Sequence, residues 1–318
     1  MYNIGVDLGG TNIAAAIVND KGQILVKGST PTLNDRSYEP IVADMAKLCK
    51  DLVAEAGLKF EDIHSVGIGS PGIPDPIKGL IVYANNLSFR NTPIREEFQK
   101  HIDLPVYVEN DANVAAFGEY EAGTGKQYKD IIAITLGTGV GGGVIIDHKI
   151  VGGSWNGGAE LGHIVIKSGG VQCTCGRKGC WERYSSATGL IREATLAAIS
   201  NPDSQLNKLV EGNMDKMNAK IPFDAAQQGD VIAQSVIDQY VEDLAVGLVN
   251  VINIFQPEII VLGGGVSAQG DNLIVPLKER MTEEIYGGEE MFKTKIEVAQ
   301  LGNDAGIIGA ALLYRLFD

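Results

Sequence analysis

The stretch Asn3-Ile4-Gly5-Val6-Asp7-Leu8-Gly9-Gly10-Thr11-Asn12-Ile13-Ala14-Ala15-Ala16-Ile17-Val18 reads as two apolar strands joined by a glycine turn. Residues 3–8 and 13–18 are the strand-like runs, and Gly9-Gly10-Thr11 supplies the turn. Asn19-Asp20-Lys21-Gly22 is a second turn, with its glycine last, and residues 23–27 make a third strand. The chain therefore opens as a β-meander. The same arrangement returns later. Asp7-Leu8-Gly9-Gly10-Thr11 aligns with Thr135-Leu136-Gly137-Thr138-Gly139, and Ile17-Val18-Asn19 with Ile145-Ile146-Asp147. This spacing predicts an internal duplication with a cleft between two halves; the plainer alternative is a chance likeness of short hairpins.

Between and after these units, strands alternate with helical patterns, which predicts an α/β fold. Helices are expected over residues 39–55, with Ile41, Met45, Leu48 and Leu52 on one face, and over 111–121, 187–199, 230–255 and 305–316. Short strands are expected at 65–69, 106–108, 258–262 and 296–299. Residues 152–181 are glycine-rich and irregular, the length at which loops usually carry function. Residues 201–222 are polar and broken, and read as a mobile cap or insertion.

Composition narrows the function classes. The chain has 318 residues, 45% of them hydrophobic and 21% charged, enough apolar material for buried cores and too much for disorder. Its 40 glycines show no triplet period, which excludes collagen. The net charge of −14 repels phosphodiester backbones, so no nucleic-acid partner is expected. No basic leader precedes the first strand, and the long uncharged run at 131–146 is too short and glycine-rich to span a bilayer. A cytoplasmic protein without a membrane partner is the expectation.

Three glycine turns end strands: residues 7–11, 136–143 and 262–265. Without a Cβ, backbone N–H groups can approach a phosphate closely, and Thr11 and Thr138 add hydroxyl donors. None matches the Walker pattern. Asp7, at a strand end beside the first turn, is placed to hold Mg²⁺ or simply to cap the turn. Glu109-Asn110-Asp111-Ala112-Asn113 falls where a strand meets a helix. Asp111 there is either a helix cap or a carboxylate able to accept the proton of an attacking hydroxyl. Asn110 can donate to and accept from a polyol. Glu160-Leu161-Gly162-His163 is followed by Cys173-Thr174-Cys175-Gly176-Arg177-Lys178-Gly179-Cys180-Trp181-Glu182. His163, Cys173, Cys175 and Cys180 make a closed Cys₃His zinc set, structural because no position stays open. Imidazole has two nitrogens, so His163 can bind metal with one and face a ligand with the other. Cys49 is left as an ordinary thiol.

These motifs resemble the ROK family (repressors, open reading frames, kinases) of the actin-like sugar kinases. The match runs in order through D-x-G-G-T at Asp7, E-N-D-A-N at Glu109, L-G-T-G-V-G-G-G at Leu136, E-x-G-H at Glu160, C-x-C-G-x-x-G-C-x-E at Cys173 and L-G-G-G-V-S at Leu262. The nearest likeness is to bacterial glucokinases of the family. The resemblance implies an actin-like ATPase (ribonuclease H-like) fold of two domains. The expected small domain is residues 1–115, with the helix 305–318 packing back on it. Residues 116–304 form the large domain, with the zinc loop and the nucleotide-base site. It also implies ATP-dependent phosphorylation of a hexose, most nearly glucose at its 6-hydroxyl, with ATP, Mg²⁺ and structural Zn²⁺ as cofactors. Asp111 matches the family's catalytic base. Asn86, Asn110, Asp111, Glu160, His163 and Glu182 match its sugar-binding positions. Asp7, Gly9, Gly10, Thr11, Asn12, Gly137, Thr138, Gly139, Gly263, Gly264 and Gly265 match its nucleotide site. Family members are often homodimers or homotetramers. The alternatives within the family are kinases for N-acetylmannosamine, N-acetylglucosamine, allose or fructose, and a sugar-responsive transcriptional regulator. The regulator would need a helix-turn-helix ahead of the first turn. The chain departs from the family's glucokinases at Ser88-Phe89-Arg90, where a tryptophan usually follows Asn86-Leu87. It departs also at Ala14, a common lysine position, and at Trp181, usually a smaller apolar residue. The first and third bear on sugar preference.

Overall fold

A computed structural model of the chain describes residues 1–317. In chain order come β1 (Tyr2–Leu8), β2 (Asn12–Asn19), β3 (Ile24–Pro31), α1 (Tyr38–Glu55), β4 (Ile63–Ser70), β5 (Ile73–Asp75), β6 (Leu80–Ala84), β7 (Phe89–Thr92), α2 (Ile94–Gln99), β8 (Val106–Asn110) and α3 (Asp111–Ala122). Then follow β9 (Ile131–Leu136), β10 (Val140–Ile146), β11 (Lys149–Ile150), α4 (Glu182–Ser185), α5 (Ala187–Ser200), α6 (Gln205–Leu209), α7 (Ile221–Gln227) and α8 (Val231–Phe255). The chain closes with β12 (Ile259–Gly263), α9 (Asp271–Thr282), β13 (Lys295–Val298) and α10 (Ala305–Ala311).

Two five-stranded sheets share one strand order. The first runs β3-β2-β1-β4-β8, an antiparallel meander extended by two parallel strands. The second runs β11-β10-β9-β12-β13. Its β10 and β11 are antiparallel and its β12 and β13 parallel. The strands correspond one for one, so the repeated glycine hairpin belongs to a duplicated sheet and is not a chance likeness. A third sheet, β5-β6-β7, is antiparallel and lies where Pro, Asp and Gly hide any strand signal.

The chain divides into two compact units. One comprises residues 1–133, 143–159 and 300–318, the other residues 134–142 and 160–299. The sequence boundary at 115/116 would cut α3, whereas this partition keeps α3 whole in the first unit.

In the first unit, β1 and β4 are covered on both faces, so they read as near-continuous apolar runs. On one side Ile4, Val6, Leu8 and Ile68 pack with Ile41, Met45 and Cys49 of α1. On the other lies α10, whose Ile307 and Ala311 pack on Ala16 and Val18. A Cβ at Gly67 would stand 1.7 Å from the Ala310 carbonyl oxygen, so only glycine lets α10 lie this close to the sheet. Buried Glu119 of α3 accepts backbone N–H bonds from Thr124, Gln300 and Leu301, fastening the chain's closing segment to α3.

The second unit corrects one expectation. Residues 201–222 are not a loose cap. They form α6 and the start of α7, and they bury Leu206, Val210 and Ile221. Asp230 organises them. One carboxylate oxygen caps α8 at Ile232 and Ala233, and the other accepts from Ser204 and from the Gln205 N–H. The terminal helix also stops at Ala311, with a 3₁₀ turn at Leu313–Leu316. Among the described residues, no helix is long and apolar enough to cross a membrane.

Candidate active site

In the first unit the glycine turn is closed by the Gly9 N–H donating to the Asn12 carbonyl at 3.0 Å. Thr32 braces it from outside. Its hydroxyl donates to the Gly9 carbonyl at 2.7 Å and its N–H to the Thr11 carbonyl at 3.0 Å. Thr32 is fully buried, and sequence pattern alone did not single it out. Thr11 and Asn12 are exposed beside the turn. Asn86 stands against it, its side chain 3.3 Å from where a Cβ on Gly10 would lie.

At the junction of β8 and α3, the helix cap is Asn110 and not Asp111. Asn110 Oδ1 accepts from the Ala112 and Asn113 N–H groups at 2.9 and 3.2 Å. Its Nδ2 donates to the Gly72 carbonyl at 2.9 Å. Asn110 is thus held on both sides, and Asp111 is the first helical residue. Asp111 Oδ1 accepts from the Ala112 N–H at 2.9 Å. Burial raises the Asp111 carboxyl above its ordinary value, with that hydrogen bond opposing. Glu109, buried, takes the Asn110 N–H and the Asn113 side-chain amide on Oε1. Asp7 is pushed up to about 6, by burial first and then by the negative charge of Asp111. Two mutually repelling acids in a partly dry place are a setting in which a cation or a proton is welcome.

In the second unit, the repeated turn is closed by the Gly137 N–H donating to the Gly139 carbonyl at 3.0 Å. The Ala187 N–H donates to the Gly137 carbonyl at 2.8 Å, and the Thr188 hydroxyl to the Thr138 carbonyl at 2.8 Å. The third glycine turn lies against the second. Gly264 has φ +84°, and a Cβ on it would fall 2.5 Å from the Leu136 carbonyl oxygen. Ser267 donates from its hydroxyl to the Gly264 carbonyl at 2.8 Å. Gly263 ends β12, and Gly265 has open space around it.

The ligand atoms of His163, Cys173, Cys175 and Cys180 all lie within 4.8 Å of one another. Cys175 and Cys180 Sγ are 3.6 Å apart, and Cys173 Sγ is 3.8 Å from His163 Nδ1. Tetrahedral zinc with Zn–S of about 2.3 Å has edges of about 3.8 Å, so the donor set and its spacing fit. Nδ1 faces the cysteines, which leaves Nε2 as the nitrogen for another partner. Burial pushes the Cys180 thiol up to about 12 and raises Cys173, while the Arg177 backbone N–H lowers Cys175. The protein alone disfavours a set of three thiolates, so a divalent cation is what would hold them ionised.

Glu182 occupies an unexpected place. Its Oε1 is 3.1 Å from Cys173 Sγ and 3.8 Å from His163 Nδ1. Its Oε2 is 2.6 Å from where a Cβ on Gly139 would be. The carboxylate therefore stands between the cysteine cluster and the second glycine turn. Glu160 is exposed, and its carbonyl accepts the His163 N–H at 3.0 Å. Trp181 is a core residue. Its side chain is fully buried, its Nε1 donates to the Asp243 carbonyl at 3.1 Å, and its ring fills the notch left by Gly247 of α8.

The duplicated sheet, the paired glycine turns and the Cys₃His cluster define an actin-like α/β protein with a cysteine–histidine knot. A model of the ROK family matches residues 3–316, and the chain belongs to that family. It is 38% identical over 314 residues to a glucokinase of Streptomyces coelicolor, covering 98% of this chain and 97% of that protein. It is likewise 38% identical over 315 residues to a glucokinase of Thermotoga maritima, covering 98% and 96%. Among solved structures, a ROK family glucokinase from Streptomyces griseus in complex with glucose and AMPPNP superposes with a TM-score of 0.82 at 36% identity, covering 98% of this chain and 99% of that one.

Proposed function

We propose that the protein is an ATP-dependent hexose kinase that transfers the γ-phosphoryl group of ATP to the 6-hydroxyl of glucose. The observation that carries this reading is the near-complete coverage and 38% identity shared with glucokinases, together with motifs in family order. Asp111 is the base. It accepts the hydroxyl proton as the oxygen attacks phosphorus, and its raised carboxyl pKa suits it to that exchange. Asn86, Asn110, Glu160, His163 and Glu182 are the sugar-binding set. Asn110 also caps α3, which holds Asp111 in place.

The turns at Gly9–Asn12, Gly137–Gly139 and Gly263–Gly265 are read as the phosphate and nucleotide contacts, with Asp7 toward magnesium. The charged pair Asp7 and Asp111 fits a cation there. Bound magnesium would neutralise charge on the phosphates. His163, Cys173, Cys175 and Cys180 would hold zinc as a structural ion. The test is a coupled ADP-release assay with ATP and magnesium across a panel of hexoses. Glucose is expected to give the highest kcat/KM. Absence of turnover on every hexose would overturn the assignment.

A further inference from the structure

The segment that leaves the cysteine knot runs directly into the groups that hold the second glycine turn. Cys180 is followed by Trp181, anchored on α8 through Asp243 and Gly247. Glu182 comes next, with one carboxylate oxygen at Cys173 and His163 and the other against Gly139. The Ser186 N–H then donates to the Glu182 carbonyl, and its hydroxyl caps α5 at Gly189. Ala187 and Thr188, the first residues of α5, hold the carbonyls of Gly137 and Thr138, each at 2.8 Å.

Those two bonds fix a direction. In a trans peptide the N–H of the following residue points opposite to the carbonyl, and the chain has no cis peptide. Drawing the Gly137 and Thr138 carbonyls toward α5 therefore aims the Thr138 and Gly139 N–H groups the other way. Two adjacent donors so aligned make an anion cradle. A turn free to rotate those peptides would present carbonyl oxygens to a phosphate part of the time, and like charges would repel.

We propose that Thr188 is a positioning residue for nucleotide phosphate. This rests on the reading of Gly137–Gly139 as a phosphate turn. Without its hydroxyl, the Thr138 peptide loses the bond that orients it.

The test measures ADP binding by calorimetry, with zinc content and hexose kinetics followed in parallel. For the full-length protein, Thr188→Val is expected to weaken ADP about tenfold and raise KM for ATP in step, because one neutral hydrogen bond is lost. Zinc content, kcat and KM for glucose should stay as in wild type, and Thr188→Ser should restore ADP affinity. Unchanged ADP affinity in Thr188→Val overturns the proposal. So does equal weakening of glucose and ADP, which marks a general structural defect. If zinc-loaded wild type binds no ADP while it phosphorylates glucose from another donor, the phosphate reading of the turn fails, and the inference fails with it.

Discussion

The two glycine hairpins are built alike and furnished differently. Each closes on itself through one N–H to carbonyl bond of 3.0 Å, and each has two carbonyls drawn aside by a segment containing a threonine. In the first, Thr32 does this alone, from the end of β3. In the second, Ala187 and Thr188 do it from α5, downstream of the cysteine knot. The strand leading into the first turn carries Asp7 just before its last residue, Leu8, and Asp7 feels the charge of Asp111. The matching position in the second is Thr135, exposed and uncharged. The first drawn carbonyl is thus the same in both turns, Gly9 matching Gly137, while the second is Thr11 in one and Thr138 in the other.

Substitutions in each half should separate these roles. The largest effect belongs to the acid half. Asp111→Asn should lower kcat by a factor of about 10²–10⁴, the usual worth of a positioned base, with a melting temperature close to wild type because Asn110 carries the cap. Near-normal turnover in steady-state assays would remove Asp111 from the chemistry. In the metal half, elemental analysis of wild type is expected to find about one zinc per chain, and Cys175→Ser should abolish it and lower both thermal stability and affinity for glucose. A fully active, zinc-free enzyme would dissolve the contrast between the halves.

Gly264→Ala should come next. It forces a side chain onto a φ of +84° and within 2.5 Å of the Leu136 carbonyl, at a cost of about 1–3 kcal/mol. KM for ATP is expected to rise with KM for glucose unchanged; the reverse pattern would assign this turn to the sugar.

Asp7→Asn acts on the fold with the opposite sign. A carboxyl raised from 3.8 to about 6 favours the folded state fully below pH 3.8, and that contribution is lost as pH rises through about 6. At pH 7 without nucleotide or magnesium, Asp7→Asn should therefore be more stable than wild type, by up to about 3 kcal/mol. Denaturant titrations should show the gap closing toward pH 4. A variant less stable at pH 7 would mean that Asp7 is held by favourable partners.

Much of this was legible in the sequence. The repeat of Asp7–Thr11 at Thr135–Gly139 foretold two sheets of one topology, because strand and turn signals are local. The Cys₃His set was legible for the same reason, its cysteines lying within one loop. The braces Thr32 and Thr188 were not, since each is an ordinary threonine until the chain folds it against a carbonyl. Of the two readings left open for Asp111, helix cap or base, the cap falls to its neighbour Asn110, as both side chains suit that place and only backbone dihedrals choose between them. The glycines of the turns and the knot are visible in the sequence pattern. Gly67 shows another use, since it admits α10 to the sheet. The order of residues 201–222 was hidden because Asp230, which ties them down, lies outside the segment.

The account rests on transfer to sugar and not to water. Phosphorus NMR of a mixture of glucose, ATP, magnesium and the enzyme tests it most directly. A glucose 6-phosphate resonance should grow in step with ADP, with no matching rise in inorganic phosphate. ADP accompanied only by inorganic phosphate, or no ADP at all with any hexose, would contradict it.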